Sequence, residues 1–263
     1  MVNHIEDNTL LIDIGNSSLK WAQSSSGVLS DMLQQQQQHS DNITSAFFTK
    51  YWQDLDKPGE IIASCVAQKS VWQALEKACD ELWGIKVQKV NSLKEGFGLI
   101  NAYDDALALG SDRWCAMIGG LQITDSAFIV IDAGSALTLD VVDISGSHLG
   151  GYIVPGLEMM RKSLGLHTAQ VKTDATSANI TSLSLASSTS QCVEAGIHLT
   201  TVKLIEAVYE KESKQLKKCQ CLLTGGDAKI LADLLSVKCV MMPDLVLRGL
   251  AVIAGVDLEN NNN

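Results

Sequence analysis

Two short stretches of this chain combine a carboxylate, a glycine and hydroxyl groups in an order suited to holding phosphate. Residues 10–21, LLIDIGNSSLKW, contain Asp13, Ile14, Gly15, Asn16, Ser17, Ser18, Leu19 and Lys20. Residues 128–143, FIVIDAGSALTLDVVD, contain Asp132, Ala133, Gly134 and Ser135. In both, an apolar run leads into Asp-x-Gly and a second apolar run follows, which predicts strand, tight turn and strand. Glycine lets backbone approach a ligand closely. A carboxylate at a strand end is placed to bind a cation that bridges to phosphate oxygens. Lys20 falls on the second arm of its hairpin, where an ammonium reaches a phosphate in the turn or simply faces solvent.

A third stretch, Gly110-Ser111-Asp112-Arg113, opens a segment whose apolar positions Trp114, Met117, Ile118 and Leu121 follow helical spacing. Ser111 or Asp112 is suited to the N-cap. The same position would put the Asp112 carboxylate at a helix N-terminus facing a substrate, with Arg113 able to pair with a carboxylate ligand. Tyr103, in the loop before it, supplies a hydrogen-bond donor. A fourth stretch, Thr224-Gly225-Gly226-Asp227, lies between a strand and a helix, where backbone can approach a flat ring or a phosphate and where a glycine pair also occurs without a ligand.

Positioning these residues requires an α/β arrangement. Strands are expected at 10–14, 19–23, 61–66, 87–90, 149–154, 221–223 and 237–242, besides the second hairpin. Helices are expected at 43–52, 69–83, 157–164, 188–211, from 227 to 235 and from 243 to 256. Trp72, Leu75, Cys79 and Leu82 recur at helical spacing, and Gly84 suits the cap that ends their helix. The run Gln34–Gln38 is expected to be a loop or a frayed helix end, residues 173–184 a loop, and Asn260–Asn263 a polar tail. One Asp-x-Gly hairpin per half predicts two related halves, 1–124 and 125–263.

The chain has 263 residues, 46% hydrophobic and 19% charged, so it can bury a substantial core. Its net charge of −10 argues against a nucleic-acid partner or an anionic membrane. No 18-residue apolar run and no secretory signal are visible. The seven cysteines include no Cys-x-x-Cys pair. Cys219 and Cys221 fall on one face of a strand without further zinc ligands in view, and reduced thiols in a cytoplasmic protein are expected.

Taken together these motifs resemble the superfamily of acetate kinase, sugar kinases, heat-shock chaperone ATPases and actin. More narrowly, the chain is similar to the type III pantothenate kinases, which include the Bvg accessory factor proteins. The segments that carry the resemblance are 13–20, 110–113, 132–140, 150–156 (GGYIVPG), Thr168-Ala169 and 243–250 (PDLVLRGL), in the family's order. The resemblance spans about residues 10–256.

It implies an α/β fold of two ribonuclease-H-like, actin-like ATPase halves with a nucleotide cleft between them. It also implies transfer of the γ-phosphoryl group of ATP to pantothenate, the first step of coenzyme A biosynthesis. In that family's pattern, residues Asp13 to Lys20 bind the ATP phosphates, with Asp13 also near Mg2+, and Ser135 contacts ATP. Asp132 binds a monovalent cation, K+ or NH4+. Tyr103, Gly110, Ser111, Asp112, Arg113 and Thr189 bind pantothenate, and Asp112 is the catalytic base. The family implies a homodimer, for which the 188–211 helix is the candidate interface. Three departures stand out: Ser111 where alanine is common, Ser135 and Leu137 around the usual threonine positions, and Gln170-Val171-Lys172 where an apolar residue and proline often follow Thr168-Ala169. A kinase of the same superfamily acting on another alcohol, or a non-catalytic nucleotide-binding regulator, is the alternative.

Overall fold

The computed structural model of the protein describes residues 8–29, 35–38, 43–167 and 183–258. The Thr168-Ala169 motif, Gln170 to Lys172, most of the 173–184 loop and the Asn tail lie outside them. In chain order the elements begin with β1 (Thr9–Ile14), β2 (Ser18–Gln23), β3 (Val28–Leu29), β4 (Gln35–Gln38), α1 (Ser45–Trp52), β5 (Glu60–Cys65), α2 (Lys69–Trp83), β6 (Val87–Lys89), β7 (Glu95–Gly96), β8 (Leu99–Ile100) and α3 (Ser111–Leu121). They continue with β9 (Ala127–Ala133), β10 (Ala136–Val142), β11 (His148–Pro155), α4 (Leu157–His167), α5 (Thr189–Leu216), β12 (Cys219–Thr224), α6 (Ala228–Leu234), β13 (Cys239–Met241), α7 (Leu245–Ala254) and β14 (Asp257–Leu258).

The chain forms two compact units. One is Met1–Ile123 together with Asp244–Asn263, and the other is Thr124–Pro243. The sequence expectation drew a single boundary, between 124 and 125. The C-terminal segment corrects that expectation: α7 and β14 belong to the first unit.

In the first unit one sheet has the order β4-β2-β1-β5-β6. All six residues of β1 are buried, which is the pattern of a central strand covered on both faces. β2 returns antiparallel to β1, whereas β5 and β6 run parallel. The glutamine run departs from expectation. Gln35–Gln38 pairs antiparallel with β2 as the edge strand, Gln36 opposite Lys20. Glutamines have no apolar periodicity to announce a strand, yet their backbone groups complete the open edge of β2.

In the second unit the sheet order is β11-β10-β9-β12-β13. β9, β10 and β11 form an antiparallel meander, and β12 and β13 run parallel beside β9. Numbering each sheet's strands by order of appearance gives 3-2-1-4-5 in both units. The duplication suggested by the two Asp-x-Gly hairpins is therefore present in the topology. Each unit also has its own core: Leu10, Ile12, Phe48, Trp52 and Leu75 belong to one, Ile131, Leu139, Val202, Ile205 and Leu223 to the other. Cys221 and Cys239 are direct partners on β12 and β13, with their sulfurs 2.7 Å apart, and every described cysteine is a free thiol.

α3 is almost wholly buried, and α7 crosses it at glycines. A Cβ on Gly249 would lie 1.9 Å from the Cys115 carbonyl oxygen, and one on Gly119 would lie 2.3 Å from that of Leu245. Backbone cannot yield as a side-chain tip does. Gly249→Ala is therefore expected to lower stability by about 1–3 kcal/mol in urea unfolding. Gly196→Ala on α5, where no atom lies within 4 Å of the added Cβ, is expected instead to raise stability by up to about 1 kcal/mol through helix propensity.

Candidate active site

Asp13 is the penultimate residue of β1, at the carboxyl end of a strand, which is where open α/β sheets bind ligands. It is 9% exposed. Across the hairpin its Cα partner is Lys20, and on the parallel side it is Ser64 of β5. The turn closes with the Gly15 N–H donating to the Ser18 carbonyl at 3.0 Å, leaving Asn16 and Ser17 exposed at its tip. Ile14 and Leu19 flank the turn as fully buried core residues. They fix the register of the turn rather than present chemistry.

The second unit repeats this register. Asp132, penultimate on β9, has Thr138 as its antiparallel partner and Thr224 as its parallel one. Here the Gly134 N–H donates to the Ala136 carbonyl at 3.1 Å. Two distant glycines close around this turn. A Cβ on Gly156 would lie 2.2 Å from the Gly134 carbonyl oxygen, and one on Gly225, whose φ is +98°, would lie 2.4 Å from the Ala133 carbonyl. The Asp227 N–H donates to the same Ala133 oxygen at 2.9 Å. The Gly225-Gly226 junction thus packs against the Asp132 turn, with Ser135 at its tip.

In the first unit α3 starts one residue earlier than a side-chain cap would require. Gly110 is the N-cap residue, and neither Ser111 nor Asp112 caps the helix as expected. The Ser111 hydroxyl instead meets that of Ser64 at 2.9 Å, both side chains being buried. Asp112, half-buried, lies in the first helical turn, and its Oδ1 accepts from the Arg113 backbone N–H at 2.8 Å. The same carboxylate rests on Gly110, where a Cβ would stand 2.5 Å from Oδ1. Arg113 is buried and its guanidinium donates to the Tyr103 hydroxyl at 3.0 Å.

The loop carrying Tyr103 is pinned from several sides. The Lys94 ammonium donates to the Asn101 and Tyr103 carbonyls, the Asn101 amide donates to those of Leu93 and Ala106, and the Ser92 hydroxyl donates to that of Leu109. Burial, with the charges of Asp13 and Asp112 adding to it, holds the Cys115 thiol well above its ordinary range. Both carboxylates are therefore within electrostatic reach of one buried sulfur. Asp13, Ser64, Gly110, Ser111, Asp112, Arg113 and Tyr103 together form a polar site in the first unit.

Thr189 belongs to the second unit. As the first residue of α5 it lines a groove of about 550 Å³ with Met160, Leu164, Cys192, Val193 and Ile197. Below that groove lies an ionic network which the sequence did not announce. Arg161 of α4 reaches both carboxylate oxygens of Glu194 on α5, at 2.5 and 2.8 Å, and also Glu158. His198 Nδ1 bonds the Glu194 carbonyl at 2.7 Å. The Arg161 hydrogen bonds hold the Glu194 carboxyl below its usual range, and burial raises that of Asp227. An Arg and a Glu 33 positions apart in sequence show no spacing signal, so only contact reveals the pair. Ser64 had a weaker signal: one hydroxyl near the end of an otherwise apolar strand.

A model of the type III pantothenate kinase family matches residues 9–211. The chain belongs to the type III pantothenate kinase family. The type III pantothenate kinase of Nitrosococcus oceani is 36% identical over 251 residues, covering 93% of each chain. Among solved structures, one from Campylobacter jejuni assigned to the Baf family of transcriptional activators aligns with TM-score 0.55 at 21% identity, covering 93% of this chain and 97% of its own. The activator of 2-hydroxyisocaproyl-CoA dehydratase from Clostridium difficile, solved with bound ADPNP, aligns with TM-score 0.52 at 12% identity and 94% coverage of both chains. These likenesses establish the fold, two sheet-centred units of mixed α/β structure.

The network in this family member gives a pH-dependent expectation. A carboxyl whose folded pKa is depressed stabilises above its unfolded value and loses that contribution as the pH falls through the folded one. Glu194→Gln is expected to cost roughly 2 kcal/mol at neutral pH, less than a fully broken buried pair because Arg161 keeps Glu158. Urea unfolding of both proteins at several pH values should show the difference shrinking below about pH 4.5, the ordinary value for glutamate.

Proposed function

We propose that this chain is an ATP-dependent pantothenate kinase acting in coenzyme A biosynthesis. It would transfer the γ-phosphoryl group of ATP to the primary hydroxyl of pantothenate, giving 4'-phosphopantothenate. The observation that carries the reading is the first-unit site, in which a half-buried aspartate at a helix N-terminus adjoins a buried arginine and a tyrosine, in a chain with pantothenate kinase relatives over nearly its whole length.

Phosphoryl transfer needs alignment and charge neutralisation more than covalent help. Asp112 is the proposed base. It orients the pantothenate hydroxyl by accepting its hydrogen bond and takes the proton as the phosphorus–oxygen bond forms. Arg113 and Tyr103 are proposed to hold pantothenate, Arg113 through its carboxylate, with Gly110, Ser111 and Thr189 as further contacts. Residues 13–20 and Ser135 are proposed to hold ATP, its phosphates against glycine-turn N–H groups and Lys20.

Two cations fit the oxygen donors present. Mg2+ keeps much of its water and needs one or two carboxylates beside the substrate phosphates, a role open to Asp13. Asp132, near the carboxyl end of β9, is proposed to hold K+ or NH4+. Bound cations supply neutralisation of the phosphate charge. No helix among the described residues is long and apolar enough to cross a membrane, and we place the reaction in the cytoplasm. A homodimer meeting along α5 completes the proposal. Leu199, exposed on that helix beside the apolar groove, supports it, and light scattering of the eluted protein should give twice the chain mass of 28.3 kDa.

The deciding assay couples ADP release to pantothenate and MgATP, in sodium alone and with added potassium or ammonium. Turnover is expected only with pantothenate and the added cation. ATP consumption without pantothenate would indicate another acceptor, and a folded protein inactive in every salt would be a regulator. Asp112→Asn is expected to leave substrate binding nearly intact and cut turnover by about 10²–10⁴-fold. Asp132→Asn should abolish the response to added monovalent cation.

A further inference from the structure

Ser64 occupies an unusual place. It is fully buried in β5, where Ile61, Ile62, Ala63 and Cys65 are apolar. A hydroxyl in such surroundings is costly unless bonded, and its bond goes to Ser111, the first residue of α3. Ser64 is also the parallel-strand partner of Asp13. One residue therefore lies beside one carboxylate along the sheet and grips, through a hydrogen bond, the helical turn that carries the other.

We propose that Ser64 is a positioning residue for phosphoryl transfer, acting through Ser111 to set where Asp112 stands relative to Asp13. The inference rests on the kinase reading and on Asp112 as the base. Two contacts tie Asp112 to its own helical turn. Its Oδ1 accepts from the next residue's N–H and rests on Gly110, so the carboxylate moves with the first turn of α3. That turn is held on the loop side by Ser92, whose hydroxyl donates to the Leu109 carbonyl at 2.8 Å. On the sheet side it is held by the Ser64–Ser111 bond. Releasing the sheet-side contact leaves the helix docked through α7 while freeing its N-terminus to shift. Displacements of about an ångström are enough to cost up to 10²-fold in rate.

A bond that served stability alone would lower the unfolding midpoint and leave the turnover of folded protein unchanged. Ser64→Ala, Ser111→Ala and the double variant separate the two cases. Each is assayed for kcat, for KM of pantothenate and ATP, and for thermal midpoint, with Asp112→Asn in parallel. The expected result is a kcat lower by roughly tenfold or more in Ser64→Ala with KM values within about twofold, a pantothenate KM that rises in Ser111→Ala because that residue is also a proposed pantothenate contact, and a double variant whose kcat is no lower than that of the worse single one. Unchanged kcat in folded Ser64→Ala and Ser111→Ala, alongside an inactive Asp112→Asn, overturns the positioning role and leaves the kinase reading standing. An Asp112→Asn variant that turns over normally overturns the base assignment, and this inference with it. Should Ser64→Ala fail to fold, Ser64→Cys, close in size but a much weaker hydrogen-bonding group, decides in its place.

Discussion

A carboxylate near the end of a buried strand loses much of its hydration, which costs several kcal/mol unless something replaces the water. The first unit is arranged around that constraint at Asp13. The strand beneath it is buried throughout and central in its sheet, and its register is held by pairing with β2 on one side and β5 on the other. The hairpin turn then leaves Lys20 directly across from it and a hydroxyl residue, Ser64, beside it. Ser111, Asp112 and Arg113 are carried by α3, which the Ser111 hydroxyl ties to β5, and Arg113 in turn reaches Tyr103.

The second unit meets the same constraint at Asp132 with different neighbours. A threonine stands at the register position of Lys20 and another at that of Ser64. Cationic character thus belongs to one hairpin and hydroxyl character to both. The glycines differ as well. Around Asp132 the turn is enclosed by backbone from Gly156 and Gly225, whereas in the first unit the glycine contacts lie one layer away, where α3 crosses α7. One topology carries a buried helix with a polar N-terminus in one unit and a close-packed glycine turn in the other.

Much of this was legible in the sequence, for identifiable reasons. The two hairpins declare themselves because alternating apolar residues and Asp-x-Gly are local signals. The helix after Gly110 declares itself by its 3.6-residue period. The edge strand Gln35–Gln38 did not, because four identical polar residues carry no period and only the open edge of β2 gives them a partner. The home of α7 was hidden for another reason. Gly119 and Gly249 look like ordinary helix glycines until a distant backbone is found against each. Likewise the Asp112 environment was read as a choice between cap and base, while the neighbouring Ser111 hydroxyl turned to a strand far upstream in sequence. Local chemistry is written in short windows, and contacts between remote windows appear only once the chain is folded.

The placement of α7 has a consequence for how the protein is made. Synthesis delivers residues 1–123 first, then the whole of the second unit, and only then the helix that completes the first. Before α7 is made, every residue of the second unit has already been made. The first has its hairpin and parallel strands, but α3 has nothing against Cys115 and Gly119. The unit that begins first is thus completed after the one inserted into it, and the helix bearing Asp112 gains its α7 partner only after residues 124–243 have been made.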